Sequence, residues 1–332
     1  MSGQTQYGDI SQRTAAWAAK EMLKHQKPVL VLQKFGQSKP MPKNKAEQVK
    51  FRRPIPFSAA TVPLQEGVTP SAQKMAYEDV SVTMKQYGKP IEITDKVADM
   101  SEDPVLKDAA MLAGEQAALT VEMVTFGVVK AGTNVFYANG SSRGAVNTAI
   151  TLNKQRAVTR ALKAQKAMKI RQILGASIKI STQAIEAAYI AVCHTDCEAN
   201  IRELSGFVPV AKYGTMKPCC EQELGSVEDV RYVTSPELEP WLAAGSGSLN
   251  GMVSDGGANV DVYPVLFFGR EAFGCVPLKG SNAMTPMVLN PNTPRGGDPM
   301  GQRGYVSWKT YYCALILNEN WMARLEVGAT DL

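Results

Sequence analysis

The chain has 332 residues, 45% of them hydrophobic and 20% charged, with a formal net charge of +5. That composition is enough for a core in one large or two modest domains, and it reads as soluble and folded. No positively charged start leads into a secretory apolar segment, and no apolar run approaches the roughly 20 residues of a membrane span, so the chain is expected to stay where it is made or to leave by lysis.

Residues 11 to 25, "SQRTAAWAAKEMLKH", read as a short helix with Ser11 as N-cap and Pro28 shortly beyond its end. "QVKFRR" then reads as a strand and "MAYEDVSVTMKQYG" as its return. Val80, Val82 and Met84 fall on one face of that return, and Tyr77, Asp79, Ser81 and Thr83 on the other. Pro54 to Lys74, between them, hold four prolines and no helical period. Structureless connections of that length are functional or disordered more often than not, and a hairpin without a core of its own is expected to project and pack on something else.

"SEDPVLKDAAMLAGEQAALTVEMVTFGVVKAG" gives the clearest helix. Asp103 is its cap, Pro104 its first residue and Gly132 its stop, and its length is roughly 40 Å at 1.5 Å per residue. Leu112, Leu119, Met123 and Phe126 are expected as its buried stripe, and Asp108, Glu115 and Glu122 argue against a bilayer span. A second helix is expected from about Asn153 to Leu174, after a Gly/Ser turn at Asn139 to Gly144. Short strands follow ("AAYIAVCH", "VEDVRYVT", "VDVYPVLFFG"), with one helix near Cys197 to Leu204 and a flexible "AAGSGSLNGMVSDGGAN". Gly304 to Leu317 then form one strand of roughly 40 Å, whose Tyr305, Trp308, Tyr311 and Tyr312 favour a pleated, half-buried surface.

Motifs for catalysis are few. "GSGSLNG" places Asn250 where a dinucleotide fingerprint needs its third glycine, and no phosphate loop with Gly-Lys-Ser/Thr exists. Cys193, His194 and Cys197 resemble zinc ligands only superficially, since Cys193 and His194 are consecutive at a strand end. They are more simply ordinary core residues. Only His25 and His194 are available as imidazole bases. The six cysteines lie scattered, and the adjacent Cys219 and Cys220 suit bridging each other poorly, so reduced structural thiols are expected.

Charge is more informative. No acid occurs between Met123 and Ile185, while ten lysines and arginines do. On a helical wheel Arg156, Arg160, Lys163, Lys166 and Arg171 share one face, opposite Ala157, Val158, Ala161, Leu162 and Met168. Three readings stay open: a solvated helix face, a surface against nucleic acid phosphates, or a face complementary to acids such as Glu221, Glu223, Glu228 and Asp229 on the same or a neighbouring copy. Without a base-reading motif, any nucleic acid contact is expected to be nonspecific.

The order of parts, with the wording "YGDISQRTAAWAAKEML", "VKFRR", "EDVSVTMKQYGKPIEITD", "DPVLKDAAMLAGEQAA", "KAGTNVFYANG", "CHTDCEANIREL", "ELGSVEDVRYV" and "DPMGQRGYVSWKTYYCALILNENWMARLE", resembles the major capsid proteins of tailed bacteriophages. Those proteins have the HK-97-like fold, and the wording looks closest to the branch typified by the N-four coliphage. The resemblance runs from about Tyr7 to Glu326. It implies an α+β fold with an N-terminal arm over 1–33, an extended β-hairpin loop over 34–88 and a peripheral domain with a spine helix over 89–178. An axial domain over 179–280 and return strands of the peripheral domain over 281–332 complete it. It further implies self-assembly into hexamers and pentamers of an icosahedral shell, with arm residues such as Lys50, Arg52, Arg53, Pro63, Glu66 and Pro70 touching a neighbour.

The partners implied are other copies, a portal, scaffolding or decoration proteins and packaged double-stranded DNA; no membrane, cofactor or catalytic role is implied. The expected location is the virion, assembled in the host bacterial cytoplasm. The subunit cross-linking chemistry of some members finds no identifiable Lys, Asn and Glu set here. A metal-assisted hydrolase using Cys193, His194 and Cys197, and a cellular nanocompartment shell of the same fold, are the alternatives.

Overall fold

The computed structural model describes residues 30–41, 47–100, 105–174, 182–214, 217–278, 284–294 and 296–332. The helix expected over 11–25 lies outside these residues, as do Asp103, Pro104 and Lys179. Two sheets and a long helix organise the described chain.

The first sheet is built on β14 (Arg303–Ile316). β4 (Lys85–Thr94) runs antiparallel along one edge of it, from Lys85 opposite Tyr312 to Thr94 opposite Arg303. β12 (Phe273–Pro277) and β13 (Met284–Leu289) follow each other along the other edge. β1 (Gln37–Ser38) pairs in parallel with β12. The strand expected from Gly304 is therefore present and central, and its aromatic residues work as foreseen, with Trp308 and Tyr312 buried.

Across this sheet lies α2 (Val105–Lys130), following the short α1 (Asp95–Met100). The long helix is present, but its buried stripe differs from the one expected. Ala109, Ala110, Ala113 and Ala117 pack on Ile93, Val306 and Trp308, while Leu112 is 54% and Leu119 37% exposed. A helix lying on a sheet whose own face carries a tryptophan can approach closely only through small side chains, which turns the leucines outward. Trp308 Nε1 donates to Gln116 Oε1 at 3.1 Å, and Thr125 and Tyr312 share a hydroxyl hydrogen bond of 2.7 Å. By length and composition this helix would also pass as a membrane span, yet half of its apolar window is buried within the fold.

The second sheet has the order β5-β15-β11-β7-β10-β9-β8, from β5 (Val135–Tyr137), β7 (Thr182–Cys193), β8 (Phe207–Pro209), β9 (Glu223–Val227), β10 (Val230–Thr234), β11 (Tyr263–Phe268) and β15 (Met322–Val327). β6 (Ile170–Leu174) also pairs with β7. Both faces are buried, which explains the unbroken apolar runs of β7 and β11. Tyr189, Ala191, Val265 and Phe267 join one core with Val158 and Leu162 of α3 (Leu152–Ala164). Ile190, Val192, Leu266 and Phe268 join the other, with Phe126 and Val129 of α2 and Phe273 and Tyr312 of the first sheet. The short α4 (Glu198–Arg202) closes one end.

One further expectation is corrected. The second helix stops at Ala164 rather than near Leu174: Lys166 takes a left-handed backbone (φ 55°) and Ile170–Leu174 form β6. Two-sided pairing along β7 outweighs a helical period that Met168, half exposed, does not support. Each sheet draws strands from more than one of the segments read from sequence. β12, within 179–280, belongs to the first sheet; β15, within 281–332, and β5, within 89–178, belong to the second. The chain crosses between the sheets several times, a tertiary choice that turn signals do not encode.

Candidate interaction surface

The expected hairpin is present as β2 (Gln48–Pro54) and β3 (Tyr77–Thr83), with Gln48 opposite Thr83 and Pro54 opposite Tyr77. Its strand alternation puts Val49, Phe51, Val80 and Val82, with Met84, over Met41, Val276, Cys313 and Leu315 of the first sheet. The base is thus anchored on its own chain. Its other face is solvated: Arg52 donates to Asp79 at 2.7 and 3.0 Å, and Arg53 Nε to Glu78 at 2.8 Å. The Arg52 guanidinium holds the Asp79 carboxyl below its ordinary range. The Lys50 carbonyl accepts from Lys39 Nζ at 3.3 Å.

Beyond the base, residues 55–76 are exposed throughout, Pro63, Glu66 and Pro70 included. Their apolar side chains are bare, Val62 at 84% and Leu64 at 79%, with Ile55, Phe57, Val68 and Met75 also exposed. A single solvated leucine needs no explanation, but six large apolar side chains on one exposed segment make it a candidate contact surface. At the foot of the loop a groove of about 850 Å³ lies between Phe51, Ile55 and Val80 on one side and Leu317 and Trp321 on the other. Lys166 and Glu271 stand at its edge, both on left-handed backbone (φ 55° and 60°).

The basic residues divide. Glu228, at φ 52°, and Asp229 form the two-residue turn between β9 and β10, and this acidic turn faces α3. Arg156 Nε donates to Glu228 at 2.9 Å, Lys163 pairs with Asp229, and Lys169 donates to Asp229 at 2.8 Å. The two ammonium groups hold the Asp229 carboxyl below its ordinary range. Arg160 is exposed on α3, Lys166 sits in the turn after it, and Arg171 is on β6, so the five do not share one helical face. Of the acids foreseen as partners, Glu223 points inward instead, accepting from Tyr213 at 2.7 Å.

Cys193, His194 and Cys197 serve the fold. Cys193 donates to the Val233 carbonyl at 3.7 Å, and burial pushes both thiols well up. His194 Nδ1 accepts the Asp196 N–H at 3.1 Å and so caps the turn Thr195–Cys197. Among the described residues no group of three or more His, Cys, Asp or Glu is placed to hold a metal, and the six cysteines are free thiols.

Two charged features escaped the sequence reading. Glu326, fully buried, accepts from Arg143 at 2.8 Å and from Arg324 at 2.9 Å, and Trp241 stacks on the Arg143 guanidinium at 3.7 Å. The available signal was a pair of opposite charges two apart in the otherwise apolar "MARLEV". Glu122, 1% exposed, accepts the Leu32 N–H at 2.9 Å through Oε1, while Oε2 has no hydrogen-bond partner within 3.5 Å among the described residues. Burial raises its pKa to about 7. Its signal was an acid among the apolar residues of the long helix.

Comparison with known proteins is consistent in kind. A family described as "Phage capsid protein" matches residues 77–312. The major capsid protein of Pseudomonas phage KPP21 is 23% identical over 131 residues, 37% of this chain and 33% of that protein. The aligned part is thus a third of that relative's length. Among solved structures, the capsid of Ralstonia phage GP4 superposes with a TM-score of 0.69 at 12% identity, over 92% of both chains. The capsid of cyanophage Pam1 gives 0.61 at 14% identity, also over 92% of both. The head of Helicobacter pylori bacteriophage KHP40 gives 0.59 at 12%, over 88% of this chain and 87% of that one.

Proposed function

Because the chain belongs to the phage capsid protein family and has the HK-97-like capsid fold, we propose that it is the major shell subunit of a tailed phage, closing with its own copies into hexamers and pentamers around double-stranded DNA. The observation that carries this reading is the bare apolar loop of residues 55–76 on an anchored hairpin. In this proposal the loop, within an extended arm over 34–88, lies across an adjacent subunit, with Pro63, Glu66 and Pro70 at the contact and Lys50, Arg52 and Arg53 at its root. Head-to-tail contacts that close a ring bury such a segment in every copy. The area per contact exceeds the roughly 1,600 Å² of a standard interface.

The N-terminal arm (1–33), the peripheral segments (89–178 and 281–332) and the axial segment (179–280) keep their expected roles in this reading. The virion is its location and the host cytoplasm its place of assembly. A portal and scaffolding or decoration proteins are its further partners, the N-four-like branch is the one its wording resembles, and it has no catalytic step. Arg156 and Lys163 are engaged by the acidic turn of their own chain, which supports the pairing account for those two. Arg160, Lys166 and Arg171, exposed and without an ion-pair partner among the described residues, are left as the charges that would meet packaged DNA nonspecifically.

Deleting Pro54 to Lys74 tests the central claim. The expected product is a folded, soluble subunit that forms no rings or shells by electron microscopy. Normal shells from the deletion would sink the proposal.

A further inference from the structure

A cavity of about 340 Å³ lies beside the turn that leaves α3, at the lower end of the range for small-molecule sites. Its walls are Met168, Lys169, Arg171 and Arg270, and no acidic residue lines it among the described residues. Two chain segments meet there, and the backbone fixes how. Gly269 follows β11, and a Cβ at that position would meet the Met168 carbonyl at 2.7 Å, so glycine is what lets the two segments approach. The Arg270 N–H donates to that same carbonyl at 2.7 Å, which holds Arg270 beside Met168 and Lys169. Arg171 lies where the ladder between β6 and β7 shifts register, between Ile170 and Gln172. Such irregularities re-aim side chains out of the regular alternation.

Charge around the cavity is not balanced. Asp229 serves both Lys163 and Lys169, so that group keeps one positive charge over. Arg270 Nε donates to Glu271 at 3.1 Å, but both side chains are largely solvated, and such a pair is worth only about 0–1 kcal/mol. Its guanidinium therefore stays available to a better acceptor. Arg171 is exposed and has no ion-pair partner among the described residues. Glu186, in the stretch of β7 that faces the register shift, reaches Arg231 at 3.6 Å instead. Four cations thus meet two carboxylates, and in sequence the next residues, 175–181, add Lys179 and no acid.

We propose that this cavity binds a phosphate group, held by the guanidinium forks of Arg171 and Arg270 and by the ammonium of Lys169. A guanidinium presents paired N–H donors that match two phosphate oxygens at once, and an ammonium adds a compact charge beside them. Free phosphate and the backbone of a nucleic acid both present this group. The site belongs to the single subunit and does not depend on the shell reading, which stands if the site fails.

The test uses the full-length, unassembled subunit at constant ionic strength. Calorimetric titration with inorganic phosphate, and separately with a short DNA duplex, is expected to show saturable binding of at least one, weakened about tenfold or more by Arg171→Gln with Arg270→Gln. Arg160→Gln, which removes a charge outside the cavity, is expected to leave phosphate binding unchanged. Tighter binding of the duplex would assign the site to nucleic acid, and tighter binding of phosphate to the free ion; either supports the proposal. No saturable binding of either probe, binding unaltered by the double variant, or an equal loss from Arg160→Gln would overturn it. A second measurement needs no variant. Phosphate is expected to slow phenylglyoxal labelling of Arg171 and Arg270 relative to Arg160, read by peptide mass spectrometry, and labelling that phosphate leaves unchanged would overturn the proposal independently.

Discussion

The second sheet and the β2–β3 hairpin draw on the same apolar residue types and use them in opposite ways. In β7 and β11 each successive side chain enters one of two cores, so Tyr189 and Ile190, or Phe267 and Phe268, are buried on opposite faces. In the hairpin only the base finds cover, and the loop holds Phe57, Val62 and Leu64 in solvent. Apolar content therefore measures how much surface a segment must hide, and topology determines whether its own chain can hide it. The sheet contributes to the stability of the subunit, whereas the loop gains no such cover from the described residues of its own chain.

That contrast can be broken most directly at Phe267, fully buried and edge-on to Tyr232 at 6.2 Å. Phe267→Ala should cost the isolated subunit about 3–5 kcal/mol in a denaturant melt. A loss under about 1 kcal/mol would mean that the sheet core is looser than described. Glu326→Ala comes next, because it leaves Arg324 buried without its carboxylate; about 3 kcal/mol is expected from the same melt.

Glu122 sharpens the comparison through pH. Its carboxyl titrates near 4.5 in the unfolded chain and at about 7 when folded, so the folded state holds the extra proton between those values. Stability should therefore fall as pH rises from about 4.5 to 7 and level off above, by about 3 kcal/mol in all. Lys34 and Glu237 are the charged groups that modulate it. Glu122→Gln, which keeps an acceptor for the Leu32 N–H, should flatten that slope, and an unaltered slope would assign it to another group. The smallest effect on the subunit belongs to the loop. Phe57→Ala with Leu64→Ala should shift the melt by less than about 0.5 kcal/mol and yet reduce shell formation seen by sedimentation. A large shift in the melt would show that the loop packs on its own chain.

Much of this frame was legible before any coordinates. The hairpin, the long helix and the long strand follow from period, caps and prolines, because each is a local pattern sustained over many residues. Leu112 and Leu119 were read as core for the opposite reason. The period identifies an apolar stripe, but which stripe is buried depends on the flat, tryptophan-bearing face that α2 meets, and that face is contributed by residues nearly two hundred positions away. The tail of the second helix failed in the same way, overruled by β7. The basic cluster was legible as charge, while its division between paired and unpaired members depended on the turn at Glu228 and Asp229.

The course of β3 into β4 also bears on force. The two strands are separated only by Met84, so a pull on the loop tip runs straight into β4, which is joined to β14 by a ladder from Lys85–Tyr312 to Thr94–Arg303. Tension directed along a strand strains all the hydrogen bonds of such a ladder together, whereas tension across it would open them one by one, as a zip. The loop is thus tethered in its mechanically resistant direction, and a pull on it would be carried by β14, the longest strand among the described residues, before any helix is disturbed.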